Sequence, residues 1–202
     1  MPEQQHSEFH NDLIQRQAAA SHALTLSTTY TEMVGAVAQH MPLEAGQLIS
    51  LQRIVNEPNG AFHVQTLAWA DASQSREGGS NVAIPVWGQG YPLEALDQIM
   101  AGQAADNPKL NLAYRGWLDA DKVVSFANFP IRFAGRVIGT LAVQSKSTPV
   151  NLSAEVLTQY QLLANQLGVV IKNAQLYKET QQRLAEVSTL YSFAEKLTSS
   201  LD

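Results

Sequence analysis

Apolar and polar positions along the chain fall into helix-period stripes at the two ends and alternating runs between them. Residues 1–26 are polar with a thin apolar stripe, Phe9, Leu13, Ala20 and Leu24, which predicts a helix too narrow-faced to bury itself without another helix. Thr29-Tyr30-Thr31-Glu32 spells a capping box, the hydroxyl serving the first turn and the Glu reaching back. Met33, Val34, Val37, Ala38 and Met41 follow on one helical face, and Pro42 and Gly46 end that helix. Residues 47–55 alternate as a strand, with Leu48, Ser50, Gln52 and Ile54 opposite Ile49, Leu51, Arg53 and Val55. Glu57-Pro58-Asn59-Gly60 predicts a turn, and 61–69 the returning strand.

The middle of the chain is less regular. Residues 71–81 are rich in Ser and Gly and read as a loop, 82–86 as a short strand. Residues 92–102 read as a helix carrying Leu93, Leu96, Ile99 and Met100, and 104–121 show no clean period. Then SFANFPIRF, Ala134-Gly135 and RVIGTLAVQS predict a hairpin closed by a two-residue turn. Gly139 in mid-strand marks a close approach of another backbone, and Pro130 a bulge or an edge position. Hairpins in place of regular β-helix-β alternation point to an α+β fold around a central antiparallel sheet.

Residues 151–201 pass without a proline and hold one glycine, Gly168. As a helix this stretch would run roughly 70 Å, longer than a small domain is wide. Its first half is expected to pack on a core, through Leu163, Leu167, Val170 and Ile171, and its second half to reach toward something else. Val187, Leu190, Ala194, Leu197 and Leu201 form an a/d seam that predicts a coiled coil between two copies. In the same register lie Leu176, Thr180 and Arg183, and the polar Thr180 and Arg183 weaken the seam, which makes them the expected hinge.

Composition narrows the function classes. Hydrophobic content of 45% and charged content of 15% describe an ordinary globular chain. A net charge of −5 with no basic block argues against nucleic acid as a partner. No cysteine is present, so disulfides, thiolate metal sites and cysteine nucleophiles are excluded together. No apolar run reaches the roughly 18–20 residues of a membrane span, so a cytoplasmic location without direct membrane contact is expected.

Candidate chemistry is sparse. His6 and His10, four apart, lack a third metal ligand, while His40 and His63 have ordinary places in a helix end and a strand. Gly88-Gln89-Gly90 is no dinucleotide fingerprint, and Asp119 and Asp121 read as solvated turn residues. No nucleophile, base and orienter assemble, so neither a catalytic nor a metal site is expected. Trp69, Trp87, Tyr91, Tyr114, Trp117 and Phe126 fall in the loop-rich middle of the chain and are the candidate lining of any pocket there, since pockets favour aromatic walls with few polar groups.

The hairpin FPIRFAGRVIGTLAVQSK and the helix LLANQLGVVIKNAQLYKETQQRLAEV closely resemble the C-terminal half of a GAF domain. Pro130, Gly135, Arg136, Val137, Ile138, Gly139 and Leu141 carry the likeness in the hairpin, and Asn173, Ala174, Leu176 and Tyr177 in the helix. The resemblance covers roughly 27–178. It implies a sheet with the N- and C-terminal helices packed on one face, and short helices and loops over a small-molecule pocket on the other. It also implies three parts: a signalling and dimerisation helix over 1–26, a sensory domain over 27–178, and a coiled-coil connector over 179–202 to a downstream output domain. The implied role is a sensory module of a signalling protein such as a sensor histidine kinase, acting as a homodimer and without enzymatic activity of its own. A purely structural dimerisation domain, or the effector domain of a transcription regulator, is the alternative. The ligand is left open. A thioether-linked bilin needs a cysteine, and no motif of the cyclic-nucleotide-binding subtype is present.

Overall fold

A computed structural model describes residues 2–41, 43–56, 62–78, 100–103, 122–147 and 152–199. The chain divides into two units, Met1–Val170 and Ile171–Asp202. The elements are α1 (Pro2–Leu26), α2 (Tyr30–His40), β1 (Gln47–Asn56), β2 (Phe62–Ala70), β3 (Ser75–Glu77), β4 (Met100–Gln103), β5 (Ser125–Phe133), β6 (Arg136–Ser145) and α3 (Ala154–Ser199). The strands form one sheet in the order β3-β2-β1-β6-β5-β4, each neighbouring pair antiparallel.

Local sequence accounts for most boundaries. Thr29 caps α2 by accepting from the Glu32 backbone N–H, and the Glu32 carboxylate accepts from the Thr29 backbone in return. At the other end the residue before Pro42 is forced out of helical geometry, and Met41 is extended. Ala134 and Gly135 both have positive φ, +49° and +76°, the pairing a tight two-residue hairpin turn demands. Pro130 lies in β5 one residue before a register slip at Ile131/Arg132, and β4 pairs with β5 only as far as Asn128. Among the described residues Pro130 has no ladder partner on the β4 side.

Helices cover one face of the sheet. The Phe129 ring of β5 stacks on Tyr160 of α3 with centroids 5.1 Å apart, and burial drives the Tyr160 hydroxyl pKa well up. By register and strand alternation that same face carries Ile49, Leu51, Ala68, Ala70, Ala127, Ile131, Leu141 and Val143, all buried. Tight backbone approaches depend on glycine at two positions. A Cβ on Gly168 of α3 would run into the Arg132 carbonyl of β5, and one on Gly139 into the Gln52 carbonyl of β1. α1 buries Leu13, Ala20 and Leu24 but leaves Phe9 exposed, and its Ser21 carbonyl accepts from Gln166 of α3 at 2.9 Å. The thin stripe thus does find helical partners.

Two expectations fail. Within the loop expected at 71–81, Ser75–Glu77 is an edge strand paired with β2. Met100–Gln103 is a strand paired with β5 and not the end of a helix, because four residues in register with an existing sheet gain ladder hydrogen bonds that an isolated helical turn lacks. The expected strand at 82–86, the turn at 57–60 and the rest of the 92–102 helix lie outside the described residues.

Candidate ligand-binding face

The sheet face turned away from the helices is polar and yet buried. Three rows of paired residues cross it. One runs Arg76, Trp69, Ser50, Ala142, Asn128, Met100 from β3 to β4; on either side of it lie Thr66, Gln52, Thr140, Pro130 and Leu48, Gln144, Phe126, Gly102. Ser50, Gln52, Asn128, Thr140 and Gln144 are all buried, and so are Ala142 and Phe126.

The polar side chains are partly wired to each other. Thr140 Oγ1 donates to Gln52 Oε1 at 3.0 Å, and Gln52 Nε2 donates to Ser50 Oγ at 3.1 Å. That chain occupies the Ser50 oxygen as an acceptor and leaves the hydroxyl hydrogen to be donated onward. Gln144, only 4% exposed, has no hydrogen-bond partner for its amide nitrogen among the described residues. An amide left in that state costs about 1–3 kcal/mol, so its retention asks for a reason.

Charge is kept off this floor. Among the described residues every buried polar side chain is neutral. By strand alternation this face carries Arg132 at the end of β5, beyond Pro130, and Arg76 at the sheet edge, its guanidinium 6.0 Å from the centroid of the Trp69 ring. Near it the turn after β2 is held by Asp71, whose carboxylate accepts from the Ser73 hydroxyl and from the Ser73 and Gln74 backbone N–H groups. Those bonds, the Ser73 hydroxyl foremost, pull the Asp71 pKa down to about 2. No cluster of three metal-ligating side chains occurs among the described residues.

Of the aromatic candidates, Trp69 and Phe126 lie on this face, on β2 and β5, with β1 and β6 between them. Trp87, Tyr91, Tyr114 and Trp117 lie outside the described residues. The polar set is what sequence reasoning missed. Its signal was Ser50 and Gln52 on one side of the first strand, matched by Thr140 and Gln144 in the last. Polar positions in a strand ordinarily mark the solvated face, so the alternation alone did not distinguish a wet surface from a buried one.

The second unit holds the helical seam. Val187 and Leu190 are 47% and 69% exposed, and Leu184, Tyr191 and Phe193 beside them are exposed as well. Ala194 and Leu197 belong to α3, and Leu201 lies outside the described residues. No helix among the described residues is long and apolar enough to cross a membrane.

Comparison with known proteins agrees with this architecture. The chromophore-binding domain of a bacteriophytochrome from R. palustris superposes with a TM-score of 0.59 at 13% identity, over 83% of this chain and 62% of that one. A phycocyanobilin-bound GAF domain from a cyanobacterial phytochrome gives 0.58 at 16% identity, over 80% and 96%. A GAF domain of a two-component sensor histidine kinase from Bacillus halodurans gives 0.47 at 22% identity, over 65% and 84%. No match was found among curated proteins. The family model for the GAF domain matches residues 23–172, most of the chain and the whole of the sheet, and this chain therefore belongs to the GAF-domain family.

Proposed function

We propose that this chain is the sensory module of a signal-transduction protein, taking a small molecule on the buried polar face of its sheet and passing occupancy to an output domain, a histidine kinase being the favoured one. The observation that carries this reading is the set of five neutral polar side chains buried between Trp69 and Phe126. A face that only filled space would be served better by aliphatic residues, because half-satisfied buried polar groups destabilise a core. We assign Trp87, Tyr91, Tyr114 and Trp117 to the walls of the same pocket.

Strand β5 gives the signal a route. One side of it carries Phe126 and Asn128 to the floor. Its other side holds α3 through the Phe129–Tyr160 stack, a hydrogen bond from Gln161 Nε2 to the Pro130 carbonyl at 3.0 Å, and the Gly168 approach to Arg132. A ligand that shifts β5 therefore bears on α3, and exposed Leu184, Val187, Leu190 and Tyr191 support pairing of that helix with a second copy. The three-part organisation, a helix over 1–26, the sensory domain over 27–178 and a connector over 179–202, belongs to this proposal.

Native mass spectrometry after exposure to a low-molecular-weight cell extract tests it. The wild-type chain is expected as a dimer with a bound small molecule, Ala142→Trp as a dimer without it, and the Val187→Glu/Leu190→Glu variant as a monomer. A wild-type chain that takes up no mass, or a Val187→Glu/Leu190→Glu variant that stays dimeric, overturns the corresponding half.

A further inference from the structure

We infer that the ligand of this face is an uncharged heterocycle that offers hydrogen-bond acceptors, ring nitrogens or carbonyl oxygens, to the floor. This rests on the reading above and adds the chemical class. Three observations carry it.

The first is charge. A buried carboxylate, phosphate or ammonium is tolerated only where an opposite charge or a full set of hydrogen bonds meets it. The described floor supplies Ser50, Gln52, Asn128, Thr140 and Gln144 and no buried ionised group. Arg76 lies outside this ring, across Trp69 at the sheet edge and over its indole.

The second is the direction of the hydrogen bonds. Gln52 Oε1 already accepts from Thr140, and Ser50 Oγ already accepts from Gln52. The donors this wiring leaves for a visitor are the Ser50 hydroxyl hydrogen and the amide nitrogen of Gln144, and the same floor holds a buried acceptor in Asn128 Oδ1. Their complement is a ligand edge on which acceptors stand beside a donor, as in a ring amide.

The third is shape. Ala142 sits at the centre of the grid, between Ser50 and Asn128 across the strands and between Thr140 and Gln144 along β6. Its methyl is the shortest side chain in that neighbourhood. Two strand spacings span about 10 Å and four residues along a strand about 13 Å, which matches the footprint of one or two fused rings lying flat. The Trp69 and Phe126 rings border it as apolar walls.

A fragment library sorted into neutral heterocycles, carboxylates and amines tests the inference by protein-observed NMR on the full chain. It includes the matched pairs nicotinamide with nicotinate and uracil with orotate. Neutral members are expected to shift the Gln144 side-chain amide, the Ser50 amide and the Trp69 indole, with matched carboxylates at least about tenfold weaker. Gln144→Met is expected to weaken the neutral hits about tenfold, and Ser50→Ala, which deletes one oxygen, to weaken them severalfold if the first variant does not fold. Carboxylates or amines that bind the face as well as neutral rings, or affinities unmoved by both variants, overturn the ligand class and leave the pocket standing. If no class moves those resonances, both this inference and the pocket reading fall.

Discussion

The two faces of this sheet are built from the same strands and are both buried, yet they follow opposite rules. Toward the helices, Ile49, Leu51, Phe129, Ile131, Leu141 and Val143 meet Tyr160 and its neighbours in an apolar layer. On the other side, the alternate residues of the same strands are Ser50, Gln52, Asn128, Thr140 and Gln144. Apolar burial stabilises by about 25 cal/mol per Å², whereas buried amides and hydroxyls at best break even against water. One face therefore holds the fold together, and the other, which adds little stability, is the one to which we assign the ligand.

The largest expected effect lies on the helix side. Phe129→Ala removes the ring stacked on Tyr160 and is expected to cost about 3–5 kcal/mol in urea unfolding. A loss below about 1 kcal/mol would show that this layer is not the stabilising one.

A smaller effect separates the faces more sharply. Gln52→Leu strands the Thr140 hydroxyl and is expected to cost about 1–3 kcal/mol. Adding Thr140→Val should recover most of that loss, because two apolar partners of similar shape replace the pair. A double variant no more stable than the single one would mean that the polar wiring is itself a structural requirement, contrary to the division drawn here.

Acid gives the smallest effect. The Thr28 and Thr29 backbone N–H groups, followed by the Thr28 hydroxyl, hold the Glu32 carboxyl below its ordinary value of 4.5, and hydrogen bonds from Ser73 and Gln74 lower Asp71 from 3.8 to about 2. Both folded values are depressed. The stability they lend is therefore present above the unfolded values and lost as pH falls through the folded ones. Stability profiles of Glu32→Gln and Asp71→Asn are expected to be flatter than wild type below about pH 4.5, both groups being exposed and the differences small. A profile left unchanged by both substitutions would place the acid-sensitive groups elsewhere.

The capping box at Thr29, the turn at Ala134-Gly135, the close approach at Gly139 and the proline-free run of α3 were legible because each is a local rule written in adjacent residues. Met100 was misread for a related reason. Its apolar spacing with Leu93, Leu96 and Ile99 suits a helix, and only the presence of β5 makes a strand there worth more. Trp69 and Phe126 were selected as aromatics in loop-rich surroundings, and the structure puts both on one face through pairings that no local pattern contains.

By itself the sequence determined the terminal helices, α2, the strands β1 and β2 and the β5–β6 hairpin, which of their residues alternate, and that no thiol chemistry is available. Those properties depend on backbone geometry and side-chain type over a few neighbouring positions. Only the tertiary structure decided that Ser50, Gln52, Asn128, Thr140 and Gln144 share one buried surface around Ala142. The physical reason is that strand alternation assigns a residue to one of two sides, while strand order and register decide which sides coincide and whether water reaches them.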